Sequence, residues 1–311
     1  MKKIKVAFII LHYQAIEMTK KCVDNLYRTF DMSENFIVIV DNASPNNSGK
    51  ELLEIYSDSK NIKIIISSEN LGFAKGNNLG FSFIKENYNF DFLIIMNNDI
   101  LINQKDFIEK IYKLYEQKQF DILGPDIYNP NLNYHQNPLR LNPLSTTELL
   151  DKKEALQKQF KFYYFFKFKR NLGLLKRKFF AKKTQQTKRT FKYDNSKTYI
   201  SPVLHGACLI FSKAFCKKRK YAFYPETFMF WEEDVLDYEC RINNFSTIYS
   251  PEINVIHLED VSTNTLFSNE SKKELWKLKE MLNSISIFID YKKKSQENKN
   301  GNANTKYKSK Q

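Results

Sequence analysis

Short apolar runs alternate with longer polar stretches through the first 125 residues of this chain. The runs fall at Ile4–Leu11, Phe36–Val40, Ile62–Ile66, Phe92–Met96 and Ile122–Leu123, and they predict strands. Between them, Glu17–Phe30, Asn47–Ser57, Ala74–Asn87 and Lys105–Gln117 predict helices. This βαβα rhythm specifies an α/β fold with a Rossmann-like, mostly parallel sheet and helices on both faces. Right-handed crossovers then bring the C-terminal ends of the parallel strands to one edge, where ligands bind in such folds.

Polar clusters sit at that edge: Asp41-Asn42, Glu69-Asn70 and Asn97-Asn98-Asp99. The last follows the apolar Ile94-Ile95-Met96 directly. An aspartate delivered by a buried strand is a hard oxygen ligand for a divalent cation, and such cations accompany phosphorylated substrates. Asn-Asn-Asp is also ordinary turn chemistry, so the weight lies in three clusters at equivalent strand ends.

Composition changes between residues 151 and 192, where Lys, Arg, Phe and Tyr crowd together with few acids. Such a segment suits an anionic membrane surface, a nucleic-acid surface, or a helical insertion with a solvated basic face. Strand signals resume at Tyr199–Val203, Ala207–Phe211, Thr247–Tyr249 and Ile253–His257. An acidic cluster, Trp231-Glu232-Glu233-Asp234, stands between them, with Asp237 and Arg241 after it. A helix is predicted over 266–291 and a disordered tail over 292–311.

The net charge of +14 calls for an anionic partner. Four scattered cysteines (Cys22, Cys208, Cys216, Cys240) form no CxxC pair, which excludes a zinc or disulfide framework and fits a reducing compartment. The opening MKKIKVAFII reads as a first strand because no small-residue cleavage site follows its short apolar run. No stretch reaches the roughly 18 apolar residues of a spanning helix. A nicotinamide dehydrogenase is disfavoured, since no GxGxxG follows the first strand.

Taken in order, ILHYQ, VDNAS (40–44), ENLGFAKGNN (69–78), MNND (96–99), HGACLIFS (205–212), FMFWEED (228–234) and VIHLEDVST (255–263) resemble glycosyltransferase family 2 enzymes. The similarity is to their rhamnosyltransferase-like bacterial members, which build cell-surface polysaccharides. It covers residues 4 to 265 and implies the GT-A fold and inverting transfer from a nucleotide sugar (UDP or dTDP), assisted by Mn²⁺ or Mg²⁺. On this resemblance residues 1–125 form a nucleotide-sugar-binding half, and 126–265 an acceptor-binding half that includes the 151–192 insertion.

The resemblance assigns roles residue by residue. Asp41 matches the acid that contacts the nucleotide base, with an Asx-turn as its structural alternative. Asn70, Gly72, Gly76 and Asn77 match the segment lining the nucleotide pocket, and Asn98 joins them. Asp99 fits the last position of the DXD-type metal motif, although Asn97 stands where many relatives carry aspartate. His257 corresponds to the histidine that completes the metal shell, and an imidazole favours Mn²⁺ over Mg²⁺.

Asp234 is the preferred general base, with Glu233 the alternative because Arg241 falls one place later than the family spacing. Trp231 and Phe230 are candidates for an acceptor-binding wall, with core packing the alternative for Phe230. The implied partners are a nucleotide-sugar donor, a glycan or polyprenyl-linked acceptor and an anionic membrane. No nucleic acid is expected, and the implied location is the inner, cytoplasmic face of the cell membrane. A basic non-catalytic binding protein and a degenerate nucleotide-sugar binder are the competing readings.

Overall fold

The computed structural model describes residues 3–165, 167–168, 193–259 and 270–308. Contacts divide the chain into two units. The first takes residues 1–143, 189–228 and 232–268, and the second takes 144–188, 229–231 and 269–311.

Among the described residues the first unit carries strands β1 (Val6–His12), β2 (Phe36–Asp41), β3 (Ile62–Ile66), β4 (Phe92–Asn97), β5 (Ile100–Leu101), β6 (Ile122–Asn129), β7 (Tyr134–His135), β8 (Tyr199–Ile200), β9 (Cys208–Ser212) and β10 (Thr247–His257). They form one sheet in the order β3-β2-β1-β4-β9-β6-β10-β5, with β7 beside β6 and β8 beside β10. The pairs β1–β2, β2–β3, β1–β4 and β6–β10 are parallel. Strand β9 runs antiparallel between β4 and β6.

The chain winds from β1 out to β3 and then returns to the other side of β1 with β4. This reversal opens a crevice at the strand C-termini. Register aligns His12 with Asp41 and Leu11 with Asn97, so the polar ends of three strands come level.

Successive strand residues point to opposite faces, and both faces are covered. Phe8, Ile10, Ile37, Ile39, Ile94 and Met96 join one buried cluster; Ala7, Ile9, Val38, Val40, Leu93 and Ile95 join the other. Burial on both sides explains why these strands are continuous apolar runs. Helices α1 (Ile16–Thr29), α2 (Ser48–Ile55) and α4 (Phe107–Lys118) feed Leu26, Leu52 and Ile111 into the first cluster. On the other face α3 (Gly72–Asn87) contributes Phe81 and Ile84.

The second unit holds α5 (Thr146–Lys161) and α8 (Glu270–Lys308). Ser145 begins α5 with a capping box: its side chain accepts from Glu148 N–H, and the Glu148 carboxylate accepts from Ser145 N–H. Beyond α5, Tyr163 donates to Glu274 Oε2 at 2.5 Å. Back in the first unit, the other face of the sheet is completed by α6 (Lys213–Lys218), with Phe215, and α7 (Glu232–Ile242), with Leu236.

Two sequence expectations meet a different arrangement. The 125/126 boundary falls inside β6, whose residues Ile122 to Ile127 are all buried, so both predicted halves build one sheet. Helix α8 runs on through Lys308, past the predicted end at 291. Of the basic insertion, residue 166 and residues 169–192 lie outside the described residues, as do 260–263 of the last family segment. All four cysteines are free and buried. Among the described residues no helix is long and apolar enough to cross a membrane.

Candidate active site

On the donor side, the polar strand ends are tied to one another. Asp41 is buried; its Oδ1 accepts from the Ser44 hydroxyl at 2.5 Å, and both its oxygens lie 3.3 Å from Ser44 N–H. Asp41 is thus held by the residue three places further along its own loop. Gly49 permits it, since a Cβ there would stand 2.1 Å from Asp41 Oδ2.

Asn42 clamps the loop before α3. Its Nδ2 donates to Asn70 Oδ1 and to Gly72 O, both at 3.0 Å, and its Oδ1 accepts from Leu71 N–H. Asn70 itself is exposed and also accepts from Gly72 N–H. Gly72 has φ +72°, and a Cβ on it would lie 2.1 Å from Phe228 O. That carbonyl accepts from Phe73 N–H at 2.7 Å and so satisfies one of the free N–H groups at the start of α3.

Gly76 packs against Leu11, and Asn77 donates to Phe73 O while its buried Oδ1 has no hydrogen-bond partner. Asn98 is turned inward, where its Nδ2 donates to Thr19 Oγ1.

Asp99 and His257 meet where β10 pairs with the short β5. Both are buried, and Asp99 Oδ1 lies 3.2 Å from His257 Nε2 without a hydrogen bond. Gln136 Oε1 sits 2.7 Å from His257 Nδ1 and takes its proton. With Nδ1–H given to Gln136, Nε2 and the Asp99 carboxylate oxygen face each other as a donor-atom pair that would hold a divalent cation. The mixed oxygen and nitrogen donor pair fits Mn²⁺. Among the described residues no group of three His, Cys, Asp or Glu gathers to hold a metal ion.

His205, a residue the sequence reading left without a role, joins this corner. Its ring centroid is 6.1 Å from that of His257, and its Nδ1 accepts from Ala207 N–H at 3.1 Å. Burial, aided by His257, holds its pKa down to about 4. The next residue, Gly206, donates its N–H to Glu233 Oε1 at 3.2 Å. A Cβ at 206 would stand 2.9 Å from that oxygen. The 205–207 segment thus links the Asp99–His257 pair to the acidic helix.

That helix, α7, treats its carboxylates unequally. Asp234 is ion-paired with Arg140, Asp237 with Arg241 at 2.8 Å, and Glu239 with Arg219 at 2.5 Å. Tyr221 also donates to Glu239. Glu232 and Glu233 make no ion pair among the described residues. Burial, reinforced by Glu233, pushes Glu232 up to about 8, and one of its oxygens has no hydrogen-bond partner. Burial also raises Glu233, opposed by its own N–H, Gly206 N–H and Arg140.

The two candidate wall residues precede α7 at positive φ, 71° for Phe230 and 70° for Trp231. The Phe230 ring packs edge-on against Trp276 within the second unit, which is the packing alternative. Trp231 Nε1 is buried without a hydrogen-bond partner. Arg140 and Gln136 escaped the sequence reading because isolated polar residues beside apolar strands carry no period or spacing.

Known proteins resemble this chain in sequence and in fold. Over 284 residues the chain is 24% identical to the low-salt glycan biosynthesis hexosyltransferase Agl10 of Haloferax volcanii, covering 91% of this chain and 76% of the relative. Its fold resembles GalNAc-T7 solved with UDP, GalNAc and Mn²⁺: the TM-score is 0.56 at 13% identity, over 88% of this chain and 50% of that one, so it spans half that protein's length. It also resembles the mannosyltransferase PcManGT of Pyrobaculum calidifontis, solved with GDP-Man and Mn²⁺, at a TM-score of 0.51 and 11% identity over 92% of this chain and 73% of that one. Both likenesses establish the GT-A fold. Residues 7–219 match the description Glycosyl transferase family 2, and the chain belongs to that family of glycosyltransferases.

Proposed function

We propose that this glycosyltransferase moves a hexose, with inversion, from a nucleoside diphosphate sugar (UDP or dTDP) to a hydroxyl of a growing glycan. The observation that carries the reading is the unequal treatment of the α7 carboxylates. Glu233 alone combines partial exposure, a raised pKa and no cation of its own. A base must be accessible and must hold a proton near neutral pH. Asp234 is engaged by Arg140 in an ion pair, which favours Glu233 over Asp234 as the base in this reading.

In this mechanism Glu233 takes the proton of the acceptor hydroxyl as its oxygen bonds to the anomeric carbon. The bond from that carbon to the diphosphate oxygen breaks on the opposite face, and the nucleoside diphosphate leaves. Gly206 N–H orients the Glu233 carboxylate, and Gln136 fixes the tautomer of His257. Asp99 and His257 would hold a divalent cation, which when bound neutralises charge on the departing diphosphate.

Calorimetric titration with UDP, dTDP and GDP, with and without Mn²⁺, tests the donor site. The expected result is Mn²⁺-dependent binding of UDP or dTDP that Asp99→Ala abolishes. Binding of none of the three would remove the donor reading, and Mn²⁺ dependence surviving in Asp99→Ala would move the metal elsewhere.

The acceptor is proposed to be lipid-linked and held at the anionic inner face of the membrane. Support comes from the segment after α5, where Tyr164 and Phe168 are 71% and 65% exposed and Lys161 and Lys167 lie over the rings of Phe162 and Tyr163. Aromatic rings flanked by lysines suit the interface of an anionic bilayer. The triple change Tyr164→Ser, Phe165→Ser, Phe168→Ser should lower flotation with phosphatidylglycerol vesicles while UDP affinity holds; unchanged flotation would exclude this face.

A further inference from the structure

His12 ends β1 with no solvent exposure and has no part in the transfer chemistry described above. Its Nδ1 lies 2.7 Å from Thr19 Oγ1 and its Nε2 lies 2.8 Å from Ser48 Oγ. Counting protons sets the direction of these bonds. Asn46 Nδ2 donates to Gln14 O, so the Asn46 atom facing Ser48 Oγ at 2.7 Å is its carbonyl oxygen, which can only accept. The single hydroxyl proton of Ser48 therefore goes to Asn46, and Ser48 must accept from His12 Nε2–H.

At the other end Asn98 Nδ2 donates to Thr19 Oγ1 at 3.0 Å. A neutral imidazole protonated on Nε2 offers a lone pair at Nδ1, which takes the Thr19 proton at 2.7 Å in preference to the more distant Ala15 O at 3.2 Å. The result is one head-to-tail chain: Asn98 to Thr19 to His12 to Ser48 to Asn46. It joins the turn that carries Asp99 to the loop that follows Asp41, across the end of a strand belonging to neither.

We propose that His12 is a positioning residue for the nucleoside diphosphate portion of the donor. In its Nε2-protonated form it binds the Asn98–Asp99 turn and the 42–48 loop into a single unit, so that one cannot move without the other. The same loop is fastened at its start, where Gln14 N–H donates to Ser44 Oγ at 2.8 Å and Ser44 in turn holds Asp41. A histidine serving only to fill space would need neither bond, and a leucine would replace it. The role toward the donor rests on the proposed function; the tautomer and the chain of bonds do not.

The test has two arms. Long-range ¹H–¹⁵N correlation spectra of the ¹⁵N-labelled wild-type protein, with His12 assigned by its loss in His12→Leu or by its response to Thr19→Val, should show an imidazole protonated on Nε2. An Nδ1-protonated or doubly protonated ring would overturn the chain. Calorimetry with UDP and Mn²⁺ should show His12→Leu and Thr19→Val each weakening binding about tenfold, the scale of one lost buried hydrogen bond.

The double variant should bind no more weakly than the weaker single variant, because both changes cut the same chain. Wild-type affinity in the folded variants, or losses that multiply, would overturn the positioning role. Should His12→Leu fail to fold, Thr19→Val, which keeps the shape and removes only the hydroxyl, decides the matter. Failure of the wild type to bind UDP, dTDP or GDP would instead overturn the donor reading and His12's role with it, a result separate from the tautomer.

Discussion

The donor-side strand ends and the acidic helix α7 are both polar, and they are held in opposite ways. At the ends of β1, β2 and β4 the groups are mostly amides, hydroxyls and a neutral imidazole that saturate one another. Along α7 they are carboxylates, some matched to an arginine and two left without a cation. Neutral, saturated hydrogen bonds make a rigid frame at little electrostatic cost. Unpaired carboxylates in a dry setting keep their protons at higher pH, which makes them chemically available. Shape is held on one side of the site and proton affinity is tuned on the other.

The largest effect should come from removing the tuned group. Glu233→Gln should lower the transfer rate by about 10²- to 10⁴-fold while UDP affinity, measured by calorimetry, stays within about twofold. An equal loss of nucleotide binding would merge the two regions into one. Next is Glu239→Gln, which strands the nearly buried Arg219 beside a neutral amide. A loss of about 3 kcal/mol is expected, read as a lower midpoint in urea unfolding. It would show that the paired carboxylates of α7 serve stability.

The third test uses pH and divides the regions by sign. Burial lowers His12 from 6.5 to about 4, so between those values the unfolded chain binds the extra proton and stability falls as pH falls. The loss from His12 is at most about 3 kcal/mol. Glu232 is raised from 4.5 to about 8, so over that window the folded chain binds the extra proton and stability falls as pH rises. Glu232→Gln should flatten the decline above pH 6.5 and steepen the rise between pH 4.5 and 6.5, where the two windows overlap with opposite sign. Urea midpoints measured from pH 4 to pH 9 check both limbs, and an unchanged alkaline limb would assign that slope elsewhere.

Much of the frame was readable from the chain. Covered strands announce themselves as apolar runs, and Asp41, Asn70 and Asp99 stand out because polarity begins abruptly where each strand or its loop ends. The family segments add their order. Such local, periodic signals survive in one dimension because each depends on neighbours in sequence. Partners distant along the chain left no trace. Arg140 is 94 residues from Asp234, Gln136 is 121 from His257, and Asn98 is 79 from Thr19.

These pairings decide which carboxylate meets an arginine, which histidine nitrogen faces an acceptor and which amide turns into the fold. Hence Asp234 is ion-paired with Arg140 while Glu233 has no ion pair among the described residues, and Asn98 Nδ2 is turned to Thr19. Residue types and their spacing set out the strands and the chemistry available at their ends. Only folding settled how that chemistry is divided, because a pKa or a tautomer depends on burial and on groups brought within a few ångströms from remote parts of the chain.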